Sequence, residues 1–311
     1  MNPLPEEPTT HRELVSVVIP CYKQAHFLGE AIESVLAQTH PDYEIIVVDD
    51  GSPDHTAEVV SCYSNVRYIR QENRGLPRAR NTGLRHSRGS YVVFLDADDR
   101  LLPKHFEICL SLFRRRPELG LVCGDFRWFG AEGTWHRHQC SDQPDQYAAL
   151  LRFGFIVPPH TAMVKREAMN TIGGFREELK SSEDRDCWLR VARLFPIECH
   201  HQLIAEYRRH SGQMSQKWDV MLSTGIQVMR YQWPYVKGNA VYEACYKSGV
   251  RQYQEACGPP LVWEMVAHGR ARRWQQAIKK LSVLVRFYPE GLKELVVQKL
   301  ASHRKRDNAS V

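Results

Sequence analysis

Val15-Ser16-Val17-Val18-Ile19-Pro20-Cys21-Tyr22-Lys23-Gln24 decides the fold class, because an apolar, β-branched run of strand length ends abruptly in a polar cluster. Phe27, Leu28, Ala31, Ile32, Val35 and Leu36 then recur at helical spacing. A second strand is expected at residues 43–48, and it runs into Asp49-Asp50-Gly51-Ser52-Pro53, where Gly and Pro break regular structure. Further strands are expected at 66–70 and 91–95, the latter delivering Asp96-Ala97-Asp98-Asp99. Between them lie helices at 56–63, capped by Thr56, and at 76–87. Strict alternation of strand and helix predicts a mostly parallel α/β sheet with right-handed crossovers. Ligands of such sheets bind outside the carboxyl ends of the strands, where the three polar clusters sit.

Downstream, a helix is expected at 103–116 and a strand at 119–128, followed by an irregular segment at 129–160. Order returns at 161–165, then at Gly173-Gly174-Phe175, and Ser182 is placed to cap a helix running to about Phe195. Beyond Gln213 the pattern is helical and aromatic. Trp274, Ala277, Ile278, Leu281, Leu284, Val285 and Tyr288 form an apolar stripe, and Leu292, Leu295, Val296 and Leu300 continue it after Pro289-Glu290-Gly291. No internal repeat is visible.

At 311 residues the chain accommodates one large or two modest domains. With 43% hydrophobic and 25% charged residues it is neither disordered nor of low complexity. Its longest apolar runs, such as 45–48 and 92–95, fall far short of the roughly 18 residues of a membrane span, and the acidic, Pro-rich segment 1–11 is unlike a secretion signal. The net charge of +6 is unevenly placed. Residues 268–311 hold eleven Lys and Arg against three acids, a net of +8, which leaves −2 on residues 1–267. Nine cysteines without a C-x-x-C pair read as small buried hydrophobes in a reducing compartment, the cytosol being the simplest. Cys123, Cys140, His136 and His138 fit no structural zinc spacing.

No dinucleotide fingerprint, phosphate-binding P-loop or nucleophile elbow occurs, so the strand ends offer carboxylates instead. Asp96 and Asp98 are hard oxygen ligands suited to Mg2+ or Mn2+, ions that complete their shell with water and phosphate oxygens. The alternative for Asp98 or Asp99 is a local turn or cap. Asp49-Asp50 can accept from a base or ribose, or serve only the Asp-Gly turn. Glu183-Asp184-Arg185-Asp186 opens a helix, where acids favour the dipole; one that faces a cleft becomes a candidate general base, with Trp188 on the face of Asp184.

Taken in order, the segments 17–28, 31–39 and 44–52 resemble the start of glycosyltransferase family 2, the inverting enzymes with the GT-A fold. Gly75, Ala79-Arg80-Asn81-Thr82-Gly83, Phe94-Leu95-Asp96-Ala97-Asp98-Asp99, Gly174-Phe175, Glu183-Asp184 and Trp188-Leu189-Arg190 continue the series to about residue 215. The resemblance implies that Pro20 and Tyr22 line a base pocket, that Asp50 bonds the base, and that Asp96 lies near ribose and metal. It makes Asp98 the ligand of Mn2+ or Mg2+ and Asp184 the catalytic base, with Arg80, Glu183, Trp188 and His210 as further substrate contacts. His210 closes Tyr207-Arg208-Arg209-His210, which is similar to the family's Y-R-x-H segment. The implied partners are a nucleotide-sugar donor, with UDP expected, and a glycan or lipid-linked acceptor, with no nucleic acid.

The expected layout is a tail at 1–14, a GT-A domain at 15–215 with a nucleotide half at 15–100 and an acceptor half at 101–215, and a helical extension at 216–311. A sugar-phosphate nucleotidyltransferase would need a Gly-rich basic loop after the first strand, which Pro20-Cys21-Tyr22-Lys23-Gln24 is not. A catalytically silent nucleotide or glycan binder would be expected to lose Asp50, Asp98 or Asp184, all of which are present. For the basic extension the readings are peripheral contact with the inner face of the cell membrane, packing on the protein or in a homo-oligomer, and polyanion binding.

Overall fold

The computed structural model describes residues 13–130, 133–138, 141, 143–154, 156, 158–210, 213 and 216–293. Most of the N-terminal tail, Cys140, the side chains of His136 and His138, and the apolar positions Leu295, Val296 and Leu300 lie outside the described residues. In chain order the elements are β1 (Val15–Cys21), α1 (Ala25–Leu36), β2 (Tyr43–Asp49), α2 (Thr56–Ser61), β3 (Val66–Arg70), α3 (Leu76–His86), β4 (Tyr91–Phe94), β5 (Arg100–Leu101) and α4 (His105–Arg115). They continue with β6 (Leu121–Gly130), β7 (Gly133–His138), α5 (Gln146–Phe153), β8 (Ala162–Lys165), α6 (Arg166–Ile172), α7 (Glu183–Ala192), β9 (Ile197–Arg209), α8 (Trp218–Val236), α9 (Ala240–Arg270) and α10 (Trp274–Phe287).

The chain divides into two compact units, and the division does not follow the expected boundary at 215. The first comprises Met1–Gln146, Ile156–Glu177 and Arg190–Arg209; the second comprises Tyr147–Phe155, Glu178–Leu189 and His210–Val311.

The first unit holds the sheet, in the order β3-β2-β1-β4-β8-β6-β9-β5 with β7 paired to β6. The parallel expectation describes β3, β2, β1 and β4. Beyond β4 the sheet is mixed, since β8 is antiparallel to β4 and β6, whereas β6 and β9 run parallel. All seven residues of β1 are buried, as its apolar run requires of a strand flanked on both sides. Buried Ser16 donates to Glu44 of β2 at 2.6 Å and accepts from the Gly89 amide at 2.8 Å before β4, which ties the three central strands at one end.

The segment expected to be irregular carries β7, α5 and a 3-10 turn at Pro159–Thr161. Two capping expectations are also corrected. Thr56 is the first helical residue of α2, and its amide and hydroxyl donate to Asp54, whose second oxygen accepts from Ala25 and so caps α1. Ser182 precedes α7 with φ +56°, outside the extended conformation that a capping serine adopts, and its carbonyl accepts from Asp186. The eight described cysteines are all free thiols, and Cys123 and Cys199, in register on β6 and β9, have their sulfurs 3.0 Å apart.

α1 fastens the segment that follows β4. Ser34 accepts from the Leu101 amide, and Gln38 donates to the Leu102 carbonyl at 2.8 Å while accepting from Phe106 at 3.2 Å. α3 packs against β1 so closely that a Cβ on Gly83 would lie 2.1 Å from Val18 Cγ1.

The second unit is helical. Arg185 of α7 donates to the Leu150 and Leu151 carbonyls at the end of α5 and lies 4.7 Å from the Tyr253 ring of α9. Asn239 caps α9 by accepting from Val241 and Tyr242. No described helix is long and apolar enough to cross a membrane.

Gly83→Ala is expected to destabilise the protein by about 1–3 kcal/mol, because stiff Val18 has to move; denaturant unfolding of the two proteins measures it. His105, opening α4, and His160, in the 3-10 turn, are fully buried, and the His105 ring lies 3.0 Å from the His160 carbonyl. Burial holds both imidazoles neutral, pushed down to about 3 and about 4 respectively. Below about pH 6.5 the unfolded chain binds protons at these positions that the native protein refuses, so stability falls as pH drops toward 4. The slope approaches about 1.4 kcal/mol per pH unit for each group. Unfolding curves between pH 7 and 4 will show that loss, and His105→Gln will reduce its steepness.

Candidate active site

The carboxyl ends of β1, β2 and β4 lie side by side in the first unit. Pro20 is buried within β1 opposite Val48, and Tyr22, just past the strand, is exposed. Lys23 beside it has φ +58° and places its ammonium 5.2 Å from the Tyr22 ring. Burial pushes the Cys21 thiol up to about 11, so it stays protonated.

At the end of β2, Asp49 accepts from the Ser52 amide at 2.7 Å and the Tyr68 hydroxyl at 2.5 Å. Burial and that bond raise the Tyr68 phenol to about 12. Asp50 is buried and accepts three hydrogen bonds, from Gln71 Nε2 at 2.7 Å, the Arg74 amide at 3.0 Å and the Gly75 amide at 2.8 Å. Asp50 thus closes the loop that leads into α3.

At the end of β4, Asp96 pairs with Arg80 of α3 at 2.6 Å, and Arg80 is almost fully buried. The guanidinium lies 5.5 Å from the Phe175 ring, which packs edge-on against Phe94. Asn81 and Phe175 exchange two hydrogen bonds at 2.9 Å, and Arg190 donates to the Ile172 and Gly174 carbonyls at 2.7 Å. Asp98 is largely buried, and its carbonyl accepts from Arg208 Nε at 2.7 Å. Asp99 is fully buried and accepts from the Arg208 amide at 2.7 Å; its other oxygen lies 3.4 Å from His160 Nδ1. Burial, reinforced by the neighbouring Asp98 and Asp96, raises the Asp99 carboxyl well above the usual range.

Among the described residues no group of three or more His, Cys, Asp and Glu is arranged to hold a metal. Asp96 and Asp98 offer hard oxygens two residues apart, in a turn braced by two arginines. That fits a Mg2+-like ion, which takes one or two protein carboxylates and fills its shell with phosphate and water.

The second unit carries the other candidates. Glu183 is buried in the first turn of α7, Asp184 is partly exposed and accepts from the Arg185 amide at 2.7 Å, and His210, partly exposed, donates through its amide to Gln213. Trp188, expected to share a face with Asp184 and contact substrate, has a fully buried indole with no surface to offer.

The sequence model of glycosyl transferase family 2 matches residues 16–173, half of the chain. The chain belongs to glycosyltransferase family 2. An uncharacterised glycosyltransferase of Rickettsia felis is 30% identical over 216 residues, covering 66% of this chain and 35% of its own. Chondroitin synthase of Escherichia coli is 29% identical over 246 residues, 78% of this chain and 34% of that enzyme. The chain therefore spans about a third of the length of these relatives. Two solved structures share the fold. The Pyrobaculum calidifontis mannosyltransferase PcManGT, in complex with GDP-Man and Mn2+, has a TM-score of 0.59 at 19% identity, covering 93% of this chain and 91% of that one. S. aureus TarS 1–349, in complex with UDP-GlcNAc, has a TM-score of 0.55 at 15% identity, covering 88% and 91%. The GT-A reading of the α/β fold is thus shown, and so is the chain's membership among glycosyltransferases.

Gln71 and Arg74 had no place in the sequence expectations, nor did the bonds that Gly75, Asp99, Arg208 and His160 make around the site. Gly75 carried a signal, being part of the motif series and having φ +92°. Arg208 lies in the Tyr207-Arg208-Arg209-His210 segment, where no local pattern links it to Asp98 or Asp99.

Asp50→Asn places an amide where three donors converge. Hydrogen exchange of the ligand-free protein is expected to speed up at Arg74 and Gly75, with a loss of about 1–3 kcal/mol in stability. Unchanged exchange at 71–77 would free Asp50 from this structural duty.

Proposed function

We propose that the chain is an inverting, metal-dependent glycosyltransferase that moves a sugar from a nucleotide donor, a UDP-sugar, to an acceptor hydroxyl in the synthesis of a polysaccharide, cell-envelope glycan or glycolipid. The observation that carries this reading is the Asp96-Ala97-Asp98-Asp99 turn, held at the carboxyl end of the parallel strands by Arg80 and Arg208. Support comes from fold neighbours solved with UDP-GlcNAc and with GDP-Man and Mn2+, and from a relative named chondroitin synthase.

In this reading Asp98, with Asp96 beside it, would hold Mn2+ or Mg2+, and the ion would supply positive charge to offset the charge that develops on the leaving diphosphate. Arg80 fixes the Asp96 carboxylate, and Arg208 fixes the backbone of the turn. Pro20 and Tyr22 flank the base, and Glu183 and His210 are further substrate contacts. Asp184 takes the proton of the acceptor hydroxyl while that oxygen bonds to the anomeric carbon. The nucleoside diphosphate departs from the opposite face, and the configuration inverts.

A panel of nucleotide sugars, scored by thermal stabilisation with and without Mn2+, identifies the donor. With that donor, Asp184→Asn is expected to retain calorimetric binding and lose transfer by about 100-fold or more, whereas Asp98→Ala weakens metal-dependent binding and also loses transfer. Undiminished transfer by Asp184→Asn removes it as the base, and unweakened metal-dependent binding by Asp98→Ala removes Asp98 as the ligand.

A further inference from the structure

The stripe that the sequence assigns to α10 divides in two. Ala277 and Leu284 are buried where the helix packs on α8 and α9, and Lys280 anchors that side through Asp219 at 3.1 Å and Glu264 at 2.8 Å. Trp274, Ile278, Leu281 and Val285, at 62%, 63%, 41% and 59% exposure, face solvent. Their spacing of 4, 3 and 4 residues stacks them into one ridge along the helix. Large apolar side chains so aligned along three turns differ from the single exposed hydrophobes that any surface carries.

Charge surrounds this ridge with one sign. From Met265 to Pro289 there is no Asp or Glu, and Arg270, Arg272, Arg273, Lys279 and Arg286 are exposed. Lys279 approaches Asp219 at 3.9 Å, yet its side chain is 75% exposed. A second copy packed ridge to ridge would bring these cations together with no carboxylate of the segment to neutralise them. A soluble polyanion would meet the cations and leave Trp274 and Ile278 in water. An anionic bilayer satisfies both, taking apolar side chains into the acyl boundary and basic ones to its headgroups, with the indole suited to the interface between them.

We propose that α10 is a membrane-surface helix that seats the protein on anionic lipid, with Trp274, Ile278, Leu281 and Val285 inserted and Arg272, Arg273 and Arg286 at the headgroups. This attachment is independent of the catalytic reading, since none of these residues belongs to the proposed reaction.

The test is co-sedimentation of the full chain with phosphatidylcholine vesicles, with and without phosphatidylglycerol, alongside light scattering of the protein alone. Two variants serve, Ile278→Gln/Leu281→Gln/Val285→Gln and Arg272→Gln/Arg273→Gln/Arg286→Gln; all six positions are exposed, and circular dichroism confirms the fold. The wild type is expected to bind phosphatidylglycerol vesicles in preference. The first variant should bind about tenfold more weakly, and the second should lose the preference for anionic lipid. Failure of the wild type to pellet with anionic vesicles, or equal pelleting by the first variant, overturns the proposal. So does a wild-type dimer that the first variant turns into a monomer, which assigns the ridge to a second copy.

Discussion

Three carboxylates within four residues, at the exit of a buried strand, set the terms for the rest of the sheet-bearing unit. Asp98 and Asp99 are buried where charge is screened poorly, and the carboxylates of Asp98 and Asp96 bear on that of Asp99. Arg80 answers Asp96 from α3, and because Arg80 is itself almost without solvent, removing Asp96 would strand a buried charge. The helix that carries Arg80 must therefore lie hard against β1, which Gly83 allows. Phe175 must lie beside the guanidinium, and Asn81 secures it there through the Phe175 backbone. Arg208 reaches the same turn from β9, so residues separated by more than a hundred positions meet around one short loop.

Several short motifs of the family thus have a structural meaning. Ser34 and Gln38 hold the chain after β4, and Arg190 holds the turn before Phe175. Besides carboxylates, the turn of aspartates thus has scaffolding from these residues.

The central strands were legible because burial on both faces demands unbroken apolar runs, and β1, β2 and β4 have them. β7 was not, since its Gly133-Thr134-Trp135-His136-Arg137-His138 has neither an apolar run nor a clean alternation, and only pairing with β6 makes it a strand. The mixed half of the sheet was hidden too, because a sequence read in order shows alternation of elements but not the direction in which β8 returns. Of the site, the carboxylates were legible by type and place, but their partners were not. Gln71 and Gly75 lie more than twenty residues beyond Asp50, and no local pattern links them. Trp188 illustrates the opposite error, in which helical spacing was right and exposure was not.

The turn after β2 grips its neighbouring loop chiefly through the backbone of that loop and the Gln71 side chain. Gly51 has φ +74°, which strains any other residue, and a Cβ there would crowd the Asn73 amide nitrogen at 3.0 Å and the Gln71 carbonyl at 3.2 Å. Asp50 reads the same loop through the Gln71 side chain and the amides of Arg74 and Gly75. Between these fixed posts the side chains of Glu72, Asn73 and Arg74 are exposed and take no part in the closure. Substitution at those three side chains leaves the bonds that set the loop's path in place, so the rim beside the end of β2 can change its chemistry without changing its frame.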